Sequence, residues 1–330
     1  MKKTDVARQF RDKYGMEMPT RKLARIMYEE NKLLFSNVED ARTKLREIEN
    51  KKGKDIFNLN NENSKYIMTE HRVRNPYNLP ESDETKYEPF EFSGHKKIGI
   101  LSDVHLPYHS IDALTEAISV LKKEKIDGLL LNGDTLDCHT LSRWVKDPKK
   151  RDFKYELDTL NQLFDVLDKE LKCKVYFKIG NHEQRYEHFL HMKAHELRGI
   201  EAFEFENIIR ARERGVQMIK SVQYMRMNGL NGIHGHEYPS QFSPVNIARG
   251  LYTKSKVSSF QGHNHITSEH TETDMNGKIT TTWSIGCLSE LSANYAPLTK
   301  WNHGYAWVEL DGNKEDFIFH NKRIYKGKTL

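Results

Sequence analysis

KIGILSDVHLPYHS, residues 97–110, joins an apolar run to an aspartate and a histidine that stand two positions apart. The run IGIL is typical of a buried strand, and Asp103 and His105 come just after its end. A chain that ends a strand in this way either turns there or binds a ligand. Asp-x-His alone does not decide between the two, so the rest of the sequence has to.

The pattern of an apolar run followed by polar residues recurs further along the chain. The runs GLLLNGD (128–134) and KVYFKIGN (174–181) are strand-like, and segments 111–126 and 155–171 between the runs are helical in character. This βαβαβ alternation predicts a parallel or mixed sheet. In such sheets ligands bind at the C-terminal ends of the strands, which is where the polar residues lie.

Five polar blocks follow apolar runs in this way. They are DVH (103–105), GDTLD (133–137), GNHE (180–183), HGH (234–236) and GHNH (262–265). Any one of them could be a turn, but five blocks of carboxylates, amides and imidazoles at strand ends indicate a binding site. The donor atoms are oxygen and nitrogen without thiolate, which suits divalent Mn, Fe, Zn or Co. There are enough ligands for two ions that share a carboxylate.

The order DxH, GDxxD, GNHE, HGH, GHxH over residues 98–265 resembles the calcineurin-like metallophosphoesterase superfamily, in particular its phage and bacterial stand-alone members. GCLSEL (286–291) and GYAWVEL (304–310) resemble the C-terminal strands of those proteins. The resemblance implies an α/β fold, a four-layer α/β/β/α sandwich of two mixed β-sheets flanked by helices. It also implies a two-metal-ion phosphoesterase that hydrolyses phosphate esters by attack of a metal-bridging hydroxide.

The same resemblance assigns roles to individual residues. The implied ligands are Asp103, His105 and His265 for the first ion, Asn181, His234 and His263 for the second, and Asp134 as the bridge. His182 would act beside the leaving group as general acid or charge stabiliser, and Asp137 would orient it. The implied cofactors are two divalent ions, manganese first, with Fe, Zn, Co or Ni as alternatives. For the first pair, side chains at i and i+2 of an extended chain project to the same side, so Asp103 and His105 can reach one ion together.

Residues for substrate binding are less sharply marked. Arg185 comes just after GNHE, where it either grips a phosphate oxygen or is solvated. His236 either contacts substrate or only supports the site. Residues 184–214 carry histidines and arginines at helical spacing, which is compatible with a lid over a polyanion or with a surface helix.

The chain divides into three predicted segments: a basic helical segment over 1–54, a linker or irregular wrap over 55–95, and the metallophosphoesterase catalytic domain over 96–330. Within the first, helices are predicted up to Gly15, from Pro19–Thr20, and from about Val38 to the KKGK run at 51–54. In the C-terminal part, hairpins are predicted around Asn276–Gly277 and Asp311–Gly312, in a second sheet built mainly from the C-terminal third.

The positive charge belongs to the N-terminal segment. Residues 1–54 hold 15 Lys+Arg and 9 Asp+Glu, a net of +6, whereas the whole chain nets +5. This asymmetry suggests a nucleic-acid contact through residues 1–54, and their helices are compatible with a helix-turn-helix. A solvated helical face is the alternative.

Cysteine usage and hydropathy bear on the compartment. Three widely spaced cysteines form neither a disulfide framework nor a CxxC pattern. The N-terminus lacks the apolar stretch of a signal peptide, and no run of about 18 apolar residues could span a membrane. A cytoplasmic protein without a membrane partner is predicted, in the host cytoplasm if the gene is a phage gene.

Three functions fit these observations. The first is a phosphodiesterase or nuclease acting on DNA or RNA, and the second is a phosphomonoesterase, that is, a protein or small-molecule phosphatase. The third is a non-catalytic scaffold, which intact ligand positions argue against. GDTLDCHT (133–140) lacks the Arg-Gly of the protein-phosphatase block GDxVDRG, which argues against a protein phosphatase. The first function is favoured. Cleavage polarity and oligomeric state stay open.

Overall fold

The computed structural model describes residues 2–49, 80, 84, 87–143, 152–238, 245–292, 298–312 and 316–330. The chain forms two compact units, Met1–Glu84 and Thr85–Leu330, which we call the helical unit and the α/β unit. None of the helices in the described ranges has the length and apolarity that a bilayer crossing requires.

The helical unit contains α1 (Lys3–Tyr14), α2 (Thr20–Glu30) and α3 (Val38–Ile48). Their ends lie where the sequence predicts them. Gly15 ends α1 with a φ of 70°, and Pro19 precedes the first residue of α2. The side chain of Asn37 caps α3 by accepting from Asp40 N. The last helix ends at Ile48, a little before the predicted stop.

A single apolar core holds the three helices together. Residues at helical spacing face inward, among them Val6, Phe10, Leu23, Met27 and Leu45. A buried ion pair between Arg11 and Glu49 joins α1 to the end of α3, and Glu49 also accepts from the Thr20 hydroxyl at the start of α2. Both charges are therefore partnered within the helical unit.

The α/β unit contains thirteen described strands and five described α-helices. The strands are β1 (Phe90–Glu91), β2 (Lys97–Leu101), β3 (Gly128–Asn132), β4 (Lys174–Lys178), β5 (Gln217–Ile219), β6 (Met225–Met227), β7 (Leu230–Gly232), β8 (Ser259–Gln261), β9 (Ser268–Thr273), β10 (Ile279–Ser284), β11 (His303–Leu310), β12 (Phe317–Tyr325) and β13 (Lys328–Thr329). The helices are α4 (Ile111–Glu124), α5 (Phe153–Leu171), α6 (Gln184–Lys193), α7 (Phe205–Ile208) and α8 (Ile247–Ser255).

The predicted βαβαβ unit is present and forms the middle of the first sheet. Strands β2 to β5 are parallel neighbours in the seven-stranded order β13-β12-β11-β2-β3-β4-β5. All five residues of β3 are buried, as expected of a strand covered on both faces. The parallel register places Ile100 beside Leu130 and Leu130 beside Tyr176, so the carboxyl ends of these strands lie at one edge.

The second sheet has six strands in the order β1-β6-β7-β8-β10-β9. Both predicted hairpins form: β9 pairs antiparallel with β10 around Gly277, whose φ is +79°, and β11 pairs antiparallel with β12. The second hairpin, however, belongs to the first sheet, because β11 pairs antiparallel with β2. Successive residues of β11 face opposite sides of the sheet, and both sides are apolar: Trp307 packs into one core and Val308 into the other. The strand is therefore buried on both faces.

Two apolar cores account for the layers. One lies between the sheets and includes Ile100, Leu130, Phe260 and Val308. The other packs α4 and α5 onto the outer face of the seven-stranded sheet. Helix α8 covers the six-stranded sheet along β8, β9 and β10. The protein therefore has the predicted α/β/β/α sandwich of two mixed sheets.

The linker prediction needs one correction. Within the predicted 55–95 linker, Phe90 and Glu91 form strand β1, which pairs in parallel with β6, and Phe92 is buried between the sheets. The short FEF stretch alternates apolar and polar residues, which is the strand signal that its polar surroundings concealed. Most of the remaining linker lies outside the described residues.

Candidate metal centre

The five polar blocks meet at the carboxyl ends of the central strands of both sheets. Each block begins one or two residues after its strand: at Asp103 after β2, Gly133 after β3, Gly180 after β4, His234 after β7 and Gly262 after β8. Because parallel strands end at a common edge, residues far apart in sequence converge there.

Asp103, His105 and His265 form one group, with a donor atom of each within 4.8 Å of the others. His265 Nε2 lies 3.2 Å from Asp103 Oδ1 and 3.2 Å from His105 Nε2. Two imidazole nitrogens that face each other at this distance need either a shared proton or a cation. These are the three residues that the resemblance assigns to the first ion.

Asp134, His234 and His263 form a second group by the same criterion. His234 Nε2 lies 3.2 Å from Asp134 Oδ2, and the same carboxylate oxygen lies 4.0 Å from His105 Nε2 in the first group. Asp134 therefore stands between the two groups, where a carboxylate that bridges two ions has to be.

Several buried donor atoms of the site have no hydrogen-bond partner among the described residues. They include Asn181 Oδ1 and His263 Nδ1. Buried polar atoms are nearly always paired in folded proteins, so unpaired acceptors here fit ligands of a cation. The oxygen and nitrogen donors match divalent ions of the Mn, Fe or Zn kind. The residues present therefore fit a dinuclear centre, and the unpaired amide oxygen of Asn181 suits the ligand role that the resemblance implies for it, which stays a prediction.

The backbone at this site is left-handed rather than extended. Asp103, His105, Asp134, His263 and His265 have φ between 50° and 66°. The reasoning from an extended chain at Asp103 and His105 was therefore wrong, although both side chains do reach one group. A left-handed turn at alternate residues bends the chain around the site, and such conformations in non-glycine residues concentrate at functional sites.

Glycines give the ligands room. A Cβ on Gly262 would overlap Ser102 Oγ and come within 2.6 Å of Asp103 Oδ2. A Cβ on Gly180 would overlap Asp134 in the same way. The glycines in the GHNH and GNHE blocks are thus required by close approach of the backbone to ligand side chains.

A third group joins the first ligands to the predicted catalytic pair. Asp137 Oδ1 lies 3.1 Å from His105 Nδ1 and 3.2 Å from His182 Nδ1. His182 Nε2 lies 3.8 Å from Asp134 Oδ2, so this nitrogen faces the metal centre. The structure therefore brings His182 and Asp137 beside the ligands, and their catalytic roles stay a prediction.

The two predicted substrate-binding residues have protein partners. Arg185 Nη1 donates to Asp137 O at 2.7 Å, and Arg185 Nη2 lies 3.0 Å from His182 Nε2. His236 Nε2 lies 2.9 Å from Ser221 Oγ, while its ring is 5.3 Å from that of His234. Both residues adjoin the centre, and their role in binding substrate stays a prediction.

The lid interpretation of residues 184–214 gains no support from the described contacts. Arg210 pairs with Glu213 at 2.7 Å, and Arg214 pairs with Asp165 on α5 at 2.7 Å. The predicted helical spacing of these arginines is not present, because both lie in the turns that follow α7. Since each guanidinium faces a carboxylate, the two pairs are ordinary surface ion pairs.

Sequence reasoning missed a buried ion pair that supports the second group from behind. Lys178, fully buried at the end of β4, lies 3.0 Å from Glu237 Oε1 and donates to the carbonyls of Lys220 and Gln223. Glu237 accepts in turn from the backbone N–H of His234 at 3.1 Å. A lysine inside the apolar run KVYFKIG and an acid directly after HGH were the available signals.

The carboxylates dominate the electrostatics of the site. Burial opposes charge on the imidazoles, but Asp134 raises the pKa of His234 to about 10 and Asp103 raises that of His265 to about 10. Burial raises the pKa of Glu183 to about 7 while its carboxylate accepts from Asp134 N and Gly180 N. A concentration of negative charge that attracts cations is thus built into the site.

Comparison with known proteins gives both a family and a phage relative. The family profile of the calcineurin-like phosphoesterases matches residues 96–282. The gene 54 protein of Mycobacterium phage L5 is 25 % identical over 240 residues, which cover 66 % of this chain and 90 % of that protein. The chain is therefore similar to a phage protein over most of that protein's length.

Solved structures are less similar. Vacuolar protein sorting 29 from Cryptosporidium parvum shares 15 % identity with a TM-score of 0.39, covering 72 % of this chain and 95 % of that chain. A dimetal phosphatase from Danio rerio shares 10 % identity with a TM-score of 0.30, covering 68 % and 98 %. The profile match, by contrast, includes all five ligand blocks and covers more than half of the residues, so the chain belongs to the calcineurin-like phosphoesterase family.

Proposed function

We propose that this metal-dependent phosphoesterase hydrolyses phosphodiester bonds in DNA or RNA, with Mn²⁺ as the first metal to test. Its family supplies the reaction class, metal-dependent hydrolysis of phosphate esters. The observation that carries the choice of nucleic acid is a face of exposed, unpaired cations on α2. We call Arg21, Lys22 and Arg25 the basic face.

The basic face differs from the other cations of the helical unit. Among the described residues, neither Arg21, Lys22 nor Arg25 has a carboxylate partner, and all three are exposed. Most other described cations of the unit face a carboxylate, as in Lys3–Asp40, Arg8–Asp5 and Arg42–Glu39. Lys13 lies over the rings of Phe10 and Tyr14 instead. Three unpaired charges on successive turns of one helix offer a surface to a polyanion.

Helix energetics argue against a purely structural role for the basic face. The first turn of α2 has no acidic residue, and cations near a helix N-terminus oppose the helix dipole. Arg21 and Arg25 are also a like-charge pair at i, i+4, which destabilises a helix by about 0.2–0.5 kcal/mol. An arrangement that weakens its own helix is better explained by a ligand, and phosphate groups match the charge.

The residues at the metal centre suit ester hydrolysis. Two divalent cations held there would neutralise phosphate charge and lower the pKa of water. Asp137 lies at Nδ1 of His182, so Nε2, which is 3.0 Å from Arg185 Nη2, is the nitrogen that would face the leaving oxygen. Arg185 lies beside Nε2 and carries a charge that phosphate would attract.

A binding experiment tests the nucleic-acid partner. The full chain is titrated with labelled DNA and RNA between about 50 and 200 mM salt, and the triple variant Arg21→Ala, Lys22→Ala, Arg25→Ala is compared with wild type. Loss of three phosphate contacts would reduce the slope of log K against log salt by about 2 to 3.

The matched control removes the same charge from paired cations of the same unit, by Arg8→Ala, Lys32→Ala and Arg42→Ala. We expect it to change the slope by less than about 1. Equal effects of the two triple variants, or no binding by the wild type, would refute a nucleic-acid partner at the basic face.

A turnover experiment tests the bond that is cleaved. Mn²⁺-loaded protein is given a chromogenic phosphodiester, a chromogenic phosphomonoester and labelled single- and double-stranded DNA and RNA. We expect cleavage of the diester and of nucleic acid to exceed that of the monoester, and His182→Ala to reduce kcat by about 10²–10⁴-fold. Preference for the monoester with intact nucleic acid would make the protein a phosphatase instead.

A further inference from the structure

The peptide group between Asp137 and Cys138 has a central place next to the metal centre. Its carbonyl oxygen accepts from Arg185 Nη1 at 2.7 Å and lies 2.8 Å from His182 Nδ1. Its N–H, on the opposite edge, donates to Glu156 Oε2 at 2.7 Å. One peptide group therefore connects a buried side chain of α5 with the two residues beside the leaving-group position.

A peptide group is planar and rigid, so an interaction that fixes the direction of its N–H also fixes the direction of its C=O. A hydrogen bond at the N–H also polarises the group and strengthens its carbonyl as an acceptor. Glu156 therefore acts on the orientation of His182 without touching it.

The loop after Asp137 needs an interaction that fixes its backbone. Cys138 has a φ of 48°, a left-handed conformation that non-glycine residues disfavour. Glu156 is only 2 % exposed and stands in the first turn of α5. That turn is fixed by Asp152, whose side chain accepts from Tyr155 N at 2.9 Å. The acceptor for Cys138 N–H thus comes from a capped helix end rather than from a loop.

The protonation of Glu156 is compatible with its role as the acceptor for Cys138 N–H. Burial raises the pKa of its carboxyl to about 8. Near neutral pH the group is then largely protonated, and its carbonyl oxygen still accepts a hydrogen bond from Cys138 N–H. Glutamine, which is neutral and keeps that oxygen, should therefore replace it with little loss.

We propose that Glu156 is a positioning residue, which holds the Asp137–Cys138 peptide group so that His182 faces the leaving oxygen of the substrate. This inference rests on the proposed function, because it needs His182 to act on the leaving group. It adds a residue from α5 that none of the five sequence blocks contains.

The test compares Glu156→Leu, which fills the space without an acceptor, with Glu156→Gln, which keeps one. Both are assayed on aryl phosphodiesters whose leaving phenols differ in pKa. For Glu156→Leu we expect kcat to fall about 10-fold with the best leaving group and about 100-fold with the poorest. Glu156→Gln should stay within about 3-fold of wild type, and KM and metal content should be unchanged in both.

Two controls separate positioning from stability. Leu160→Ala truncates a fully buried side chain on the same helix, and any loss of activity there should not depend on the leaving group. Should Glu156→Leu not fold, Glu156→Asp, which withdraws the acceptor by one methylene, should give the same dependence. Equal kinetics for the Leu and Gln variants, or a loss independent of the leaving group, would overturn the role of Glu156.

His182→Ala, measured in parallel, separates a failure of the role of Glu156 from a failure of the role of His182. A leaving-group dependence in His182→Ala but not in Glu156→Leu would overturn the role of Glu156 alone. No dependence in either variant would overturn the role of His182 and, with it, that of Glu156.

Discussion

Five of the seven predicted ligands have a positive φ, although none is glycine. Each such residue costs on the order of 1 kcal/mol or more, and the surrounding structure has to hold it in place. The hydrogen bonds around Asp103 show how this is done: Ser102 Oγ donates to its Oδ2 at 2.6 Å, and His263 N donates to the same oxygen at 2.9 Å. Ligand geometry at this site therefore depends on very short distances between side chains and backbone.

Gly262→Ala should damage the first metal group for this reason. The new Cβ would overlap Ser102 Oγ and displace the Asp103 carboxylate. Because a shift of about 1 Å can cost about 100-fold in rate, we expect turnover to fall to that extent and bound metal to fall below two ions per chain. Steady-state kinetics and elemental analysis of the purified protein measure the two quantities.

Gly312→Ala is the matched control. No atom of the described residues lies within 4 Å of a Cβ at that position, and its φ is not positive. Activity and metal content should equal those of the wild type. If Gly262→Ala behaves like Gly312→Ala, the close packing around Asp103 is not needed for metal binding.

Helix α3 contributes a buried leucine to the core on which the stability of the helical unit depends. Leu45 is fully buried against α1 and α2, whereas Leu33, between α2 and α3, is fully exposed. Leu45→Ala should destabilise the helical unit by about 2–5 kcal/mol, and Leu33→Ala should change its stability by less than about 0.5 kcal/mol. Urea unfolding followed by circular dichroism compares them.

Tryptophan fluorescence supplies an internal reference for that experiment. All four tryptophans lie after residue 84, in the α/β unit. The fluorescence midpoint of Leu45→Ala should equal that of the wild type, while the part of the circular dichroism signal that comes from α1, α2 and α3 is lost at lower urea. A common shift of both signals would show that the two units unfold together.

Individual strands and turns were easier to predict than the pairing of the strands in the sheets. The apolar runs of β2, β3 and β4 and the Asn276–Gly277 turn were sufficient to predict those strands and the hairpin, because period and turn chemistry are local. Strand β11 was predicted as a strand but assigned to the wrong sheet, since its pairing with β2 joins residues some two hundred positions apart. Strand β1, only two residues long, was missed because polar residues surround it.

The same division between local and non-local information applies to the site. Donor types and their order along the chain carry the resemblance that implies the residues of both metal groups, and the structure brings the residues of each group together. The backbone contact from Cys138 to Glu156 has no such signature, because a main-chain N–H is present at every residue except proline. Likewise, nothing in the sequence indicated that Arg185 would contact the carbonyl of Asp137.

At the scale of the whole molecule, metal binding should be coupled to the stability of the α/β unit. The ligands come from the ends of strands in both sheets, with Asp103 and Asp134 following the seven-stranded sheet and His234 and His263 following the six-stranded one. An ion held by both groups joins the sheets across the inter-sheet core, and it binds the folded state alone.

Divalent metal should therefore raise the unfolding temperature of the α/β unit and leave that of the helical unit unchanged. At about 100 times Kd, binding of Mn²⁺ adds about 2.7 kcal/mol, which corresponds to an increase of about 5–10 °C for a unit of this size. Tryptophan fluorescence during heating measures the increase, which should largely disappear in Asp134→Asn because the carboxylate between the groups is lost. An equal increase in that variant, or none in the wild type, would place metal binding outside the two ligand groups.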